Sequence, residues 1–147
     1  MTIRIRPSRP QDGERAVDIW RAAVDATHDF LTPEDRRSLD GTVAGFLPHV
    51  PLWLAVDGND VAIGFMLLDG GHMEALFIHP DHRGQGVGRA LVDHALAWHP
   101  GLTTDVNEQN AQAVGFYRRL GFRPTGRSDT DGQGRPYPLI HLRHEAG

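Results

Sequence analysis

The 147-residue sequence has no cysteine, and its 15 basic residues are all arginine, so it has no lysine either. The lack of cysteine excludes disulfides, thiolate metal ligands and a cysteine nucleophile. The lack of lysine excludes a Schiff-base amine and a P-loop lysine. No apolar run approaches the roughly 20 residues that span a bilayer, and no apolar core follows the arginine-bearing start, so neither a membrane span nor a signal peptide is expected. Neither sign of charge dominates, with 15 basic and 19 acidic residues. A net charge of −4 and a pI near 6.1 give no support to broad binding of nucleic acid or anionic membranes. A cytoplasmic protein with no nucleic-acid and no membrane partner is the expectation. What is present suits one domain spanning residues 1–147, because domains cluster at roughly 100–150 residues. The 39% hydrophobic content is enough for a packed core.

Apolar periodicity orders the chain. Residues 2–6 alternate as a strand, and from Gln11 a helical stripe runs through Ala16, Ile19, Trp20, Ala23 and Val24. Thr32-Pro33-Glu34-Asp35 reads as a helix start, with Thr32 as N-cap and proline at the first helical position. Leu52–Val56 and Ile63–Leu68 flank the turn Asp57-Gly58-Asn59-Asp60 and read as a hairpin, and His72–Ile78 as a third strand. A helix then ends near Pro100. A strand over Leu102–Val106, a helix over Ala111–Leu120 and strands over Phe122–Arg127 and Tyr137–Leu142 complete the order β-α-α-β-β-β-α-β-α-β-β. That order predicts an α/β (α+β) fold, a mixed and mostly antiparallel sheet with helices on both faces. An exposed last strand offers one route to a homodimer; a monomer is the other expectation.

The most informative segment is Ile78-His79-Pro80-Asp81-His82-Arg83-Gly84-Gln85-Gly86-Val87-Gly88-Arg89-Ala90-Leu91. A strand ends, three alternating glycines follow, and a helix begins. The first turn of a helix has unpaired N–H groups and a dipole that favours anions, and glycine lets the backbone come close, so this reads as a phosphate cradle flanked by Arg83 and Arg89, with a flexible strand–helix turn whose glycines serve only the backbone as the competing reading. The dinucleotide pattern G-x-G-x-x-G is not met, since Arg89 or Leu91 stands where the third glycine belongs. The histidine pairs His79/His82 and His141/His144 have no third ligand nearby in sequence, so no metal site is expected, and His94 and His99 read as solvent-side.

Arg83-Gly84-Gln85-Gly86-Val87-Gly88 matches [Gln/Arg]-x-x-Gly-x-[Gly/Ala], the acetyl-CoA signature of the GNAT N-acetyltransferase superfamily, which the chain resembles. Asn110, Ala113, Val114, Phe116, Tyr117, Gly121 and Phe122 fall on a second pattern of that family. Asp25-Ala26-Thr27-His28-Asp29-Phe30-Leu31 is similar to a stretch in small uncharacterised acetyltransferases of enteric bacteria. The resemblance implies a six- to seven-stranded sheet with a V-shaped splay between strands 4 and 5. It implies that the backbone from Gln85 through Val87 to Arg89 holds the pyrophosphate of acetyl-CoA, that Leu76 and Ile78 pair with the pantetheine arm, and that Asn107 and Asn110 contact it. It implies direct transfer to an amine of a small molecule or peptide in a ternary complex, since no cysteine is available for a relay.

The chemistry needs a base for the ammonium, a polarised carbonyl and an acid for the departing thiolate. Tyr117 is the candidate acid. It also shares a helical stripe with Ala113, Phe116 and Leu120, so core packing is the competing reading. His72 and Glu74, two apart on one strand and so on one face, are candidate bases, directly or through a water. Trp20, His28, Asp29, Phe30 and Tyr137 are candidate acceptor contacts. A non-catalytic acyl-CoA-binding module and a transferase for another acyl-CoA are the alternatives.

Overall fold

A computed structural model describes residues 2–145. Seven strands and four helices follow in the expected order: β1 (Arg4–Pro7), α1 (Gly13–Thr27), α2 (Pro33–Phe46), β2 (Trp53–Val56), β3 (Ala62–Asp69), β4 (His72–Ile78), α3 (Val87–Trp98), β5 (Thr103–Asn107), α4 (Ala111–Arg119), β6 (Phe122–Ser128) and β7 (Leu139–His144). The strand order is β1-β2-β3-β4-β5-β7-β6. Among the described residues β4 and β5 form a parallel pair, with the ladder His72↔Thr103 and Met73↔Thr104. The chain divides into two compact units, one of residues 1–67 and 75–94, the other of residues 68–74 and 95–147.

In the first unit, α1 lays Ala16, Ile19, Trp20 and Val24 against Leu54 and Val56 of β2 and Phe65 of β3, and Ala75 and Phe77 of β4 pack onto the same cluster. Those strand positions share one face through period-two alternation. The opposite face carries Gly64 and Ile78 against Val87, the first residue of α3. Helices therefore lie on both faces of this unit's strands. Thr32 caps α2 by accepting the Asp35 N–H at 3.1 Å, with Pro33 at the first helical position, as the sequence predicts. Such a cap stabilises a helix by about 1 kcal/mol.

In the second unit, β7 pairs with both β5 and β6. The last strand is therefore interior and β6 is the edge, which corrects the expectation of an exposed final strand. The reason is topological: β6 follows α4 and takes the outer place, and the returning strand β7 enters between it and β5. Gly121 ends α4 at φ +98°, a conformation that glycine adopts at little cost. Among the described residues no helix is long and apolar enough to cross a membrane.

Candidate active site

The glycine loop lies in the first unit. Gly84 and Gly86 take φ of +73° and +82°, and a Cβ at either would meet open space. Arg83, Gly84, Gln85, Gly86 and Arg89 are exposed, whereas Val87 and Gly88 are buried. The Ala90 N–H bonds to the Gly86 carbonyl at 3.0 Å and closes the first turn of α3. The N–H groups of Val87, Gly88 and Arg89 precede that bond and have no acceptor inside the helix. Unpaired backbone donors at a helix start, beside exposed glycines at positive φ with open space above them, fit a pyrophosphate. Arg89 also faces Asp93 at 3.7 Å, a loose exposed pair that leaves its other N–H groups to an anion. Leu76 and Ile78 are half-buried on β4 immediately before the loop.

The candidate acceptor contacts in this unit separate. Trp20 is buried in the core with the Arg36 guanidinium 5.0 Å above its ring. Asp29 is exposed. His28 and Phe30 come together, with ring centres 5.2 Å apart, and His28 also faces Phe77 at 6.5 Å. The Thr27 hydroxyl donates to the Ala23 carbonyl at 2.7 Å, so its oxygen accepts from His28 Nδ1 at 2.7 Å. That leaves Nε2 as the lone-pair nitrogen. Burial lowers the His28 pKa, with Asp29 opposing, which keeps the ring neutral at pH 7.

His94 corrects a second expectation. It is half-buried, its ring lies 4.4 Å from that of Trp53, and its Nε2 is enclosed with no hydrogen-bond partner. Position 94 follows Leu91 by three residues, so it lies on the buried stripe and not on the solvent face.

The second unit holds the titratable candidates. His72 Nδ1 is hydrogen-bonded with Thr103 Oγ1 at 2.7 Å, and its Nε2 lies 3.5 Å from Asp105 Oδ2. Glu74 is exposed on the same strand. Tyr117 is buried at 7% exposure, and its ring meets Phe116 at 5.2 Å and Phe122 at 5.3 Å. Burial pushes the phenol pKa up, opposed by a hydrogen bond with Thr104, whose own hydroxyl donates to the Met73 carbonyl at 2.8 Å. Thr103 and Thr104 point to opposite faces. Tyr117, which reaches Thr104, and His72, which reaches Thr103, therefore lie on opposite faces of the β4–β5 ladder. Asn107 Oδ1 accepts the Gln109 N–H at 2.9 Å, and Asn110 Oδ1 caps α4 at Ala113 N, 3.2 Å. Their oxygens serve the backbone and their amide N–H groups remain as donors. Tyr137 is buried, with its N–H 2.7 Å from the Arg135 carbonyl.

His79 and His82 have ring centres 6.2 Å apart in the loop. His141 and His144, three apart on a strand, point to opposite faces. Among the described residues no group of three or more His, Cys, Asp or Glu can hold a metal ion. Sequence reasoning missed Thr104 as the Tyr117 partner and Asp105 as the carboxylate beside His72. Both follow only from the β4–β5 register, which the sequence pattern does not carry.

A family model for the acetyltransferase (GNAT) domain matches residues 48–124. The peptidyl-lysine N-acetyltransferase YjaB of Salmonella typhimurium is 59% identical over 142 residues, covering 97% of this chain and 98% of that protein. The solution structure of apo-form YjaB from Escherichia coli is 58% identical, with a TM-score of 0.96 over 100% of both chains. The PaiA N-acetyltransferase of Thermoplasma acidophilum, solved with coenzyme A, shares the fold at 19% identity, with a TM-score of 0.71 over 98% of this chain and 100% of that one.

Proposed function

The chain belongs to the GNAT family and is an N-acetyltransferase; from that premise we propose that it carries acetyl from acetyl-CoA to the side-chain amine of a lysine in a protein or peptide. The observation that carries the acceptor class is the 59% identity, over 97% of the chain, to a relative named for peptidyl-lysine.

The glycine loop binds the donor's pyrophosphate through the backbone N–H groups of residues 85–89, with Arg83 and Arg89 adding charge-assisted contacts. The backbone of Leu76 and Ile78 pairs with the pantetheine arm, and the Leu76 N–H polarises the thioester carbonyl. The amide groups of Asn107 and Asn110 steady the same arm. A lysine amine has a pKa near 10.4, so at neutral pH it arrives as an ammonium and must lose a proton before attack. Glu74 removes it, directly or through a water. The exposure of Glu74, against a half-buried His72 with its Nδ1 bonded to Thr103, favours Glu74 for this part. Tyr117 returns a proton to the departing thiolate, whose thiol has a pKa near 8.5. Burial raises the phenol above its ordinary range, so it holds its proton more tightly than a solvated tyrosine and the part rests on its placement on α4. His28, Asp29 and Phe30 bind the lysine stem and its charged end, with Tyr137 as a further contact, and Trp20 supports them from the core. With no cysteine for a relay, both substrates bind before transfer.

The test uses acetyl-CoA with lysine-containing peptides, following free thiol and acetyl-lysine by mass spectrometry. Because the chain has no lysine, every acetyl-lysine detected belongs to the acceptor. Equal thiol release with peptides whose lysines are replaced by arginine, and blocked at the N-terminus, would remove the lysine assignment.

A further inference from the structure

In the second unit, three side chains from neighbouring strands form a chain that the acetyl-transfer reading does not use. Asp105 Oδ1 of β5 lies 2.6 Å from His141 Nδ1 of β7, and His141 Nε2 lies 2.7 Å from Ser128 Oγ of β6. A carboxylate only accepts, so Nδ1 carries the ring proton and Nε2 is left to accept the Ser128 hydroxyl. These are the relations of a Ser–His–Asp triad, which is recognised by geometry and roles and not by chain order.

The backbone accounts for the arrangement. The register Asp105↔His141 sets carboxylate and imidazole directly opposite each other. On the other side of β7, a register shift between Pro124 and Gly126 sets Gly126 against His141. A Cβ at Gly126 would meet the imidazole Cδ2 at 3.5 Å, so glycine leaves that side of the ring uncovered. Ser128, two residues further along, reaches back on the same face. The second Asp105 oxygen lies 3.5 Å from His72 Nε2. Ser128 is half-buried and the His141 side chain is 36% exposed, so the pair is open to a small solute.

We propose that Ser128, His141 and Asp105 form an acyl-accepting site for small activated carboxylic esters. The Ser128 Oγ–carbon bond forms at the ester carbonyl while the hydroxyl proton passes to His141 Nε2. The carbon–oxygen bond to the leaving group then breaks, and the departing alkoxide takes that proton. Asp105 holds the ring and balances the imidazolium. Water adds to acyl-Ser128 in the same way, giving up a proton to His141, and the regained Ser128 hydroxyl takes it as the carboxylic acid leaves.

The experiment uses the full chain with p-nitrophenyl acetate, and separately with a fluorophosphonate. The expected result is a burst of nitrophenolate, one acetyl group on Ser128 by peptide mass spectrometry, and a fluorophosphonate adduct on the same residue. Ser128→Ala abolishes the burst and both adducts while keeping acetyl transfer from acetyl-CoA to a lysyl peptide, which also separates this site from the transferase reading. His141→Gln slows acylation by about a hundredfold or more, the worth of a general base. Nitrophenolate release at the wild-type rate in Ser128→Ala, an adduct on another residue, or an unmodified Ser128 with the fluorophosphonate would each overturn the proposal.

Discussion

At Gly64, in the first unit, β3 passes close to both β4 and the start of α3. A Cβ added there would lie 2.9 Å from Ile78 Cδ1, 3.0 Å from Val87 Cγ1 and 3.2 Å from the Phe77 carbonyl oxygen. The Ile78 tip can rotate away. Val87 is β-branched and held to essentially one rotamer in a helix, and the Phe77 oxygen belongs to the strand backbone. Gly64→Ala must therefore move the first residue of α3 or the backbone of β4. Adding one methyl to a packed site costs about 1–3 kcal/mol. Alanine recovers about 0.4–1 kcal/mol by restricting the unfolded chain. The midpoints, about 2 and about 0.7 kcal/mol, leave a loss of about 1.3 kcal/mol. For a chain of this size that lowers Tm by roughly 3–5 °C. The functional consequence is more specific. Val87 opens the helix turn that the donor's pyrophosphate reading uses, and Ile78 is one of its backbone contacts. The KM for acetyl-CoA should rise several-fold with a smaller change in kcat. Thermal unfolding and initial rates at varied acetyl-CoA check both parts. A variant with unchanged Tm and unchanged KM would show that the close approach at Gly64 constrains neither fold nor cradle.

The other predictions concern protons and charge. Glu74→Gln should lower kcat/KM at pH 7 by about 10²–10³, with the deficit shrinking as the pH approaches the amine pKa near 10.4. A deficit that stays constant with pH would remove Glu74 as the base. Tyr117→Phe should cut kcat by about 10²-fold or more and leave acetyl-CoA affinity, followed by calorimetry, unchanged; unchanged turnover would return Tyr117 to a purely packing role. Asp40 is held at about 2, against an ordinary 3.8, chiefly by the Arg21 hydrogen bond and then by Arg36. A folded-state pKa below the unfolded value gives stability that is complete above the unfolded pKa and is lost as pH falls toward the folded one. Asp40→Asn should lower stability at neutral pH and flatten its decline between about pH 4 and pH 2, read by urea unfolding across pH; parallel curves for variant and parent would contradict the Arg21–Asp40–Arg36 reading.

The periodicity of the chain marks all eleven elements, because each strand and helix buries a face and so must repeat at its own period. Strand β4 is read at its observed bounds, His72–Ile78. The remaining strands shift by one to two residues, where turns such as Gly70-Gly71 and Asp57-Gly58-Asn59-Asp60 leave the ladder end to local geometry. The glycine loop is legible for a different reason. Positive φ at Gly84 and Gly86 narrows the residue choice almost to glycine, so the backbone conformation is written in the residue type. Cross-strand partners have no such signal. Nothing in the spacing says that β7 enters between β5 and β6, and that placement alone sets His141 against Asp105. The side of a helix is also only partly written: His94 is polar yet follows Leu91 by three positions, and Trp53 claims its ring.

The register decides the chemistry as well as the partners. Period-two spacing puts His72 and Glu74 on one face and offers no choice between them. Pairing with β5 then sets Thr103 beside His72, with Asp105 within reach of its Nε2, and leaves Glu74 exposed. The same register turns Thr104 to the other face, where it meets Tyr117. The proposed base and acid therefore stand on opposite faces of the ladder, Glu74 exposed and Tyr117 enclosed, and no proton passes directly between them. Enclosure makes the phenol a weaker donor than a solvated tyrosine, so the proposed acid part requires the thiolate to meet Tyr117 away from water, and the register with β5 decides whether it can.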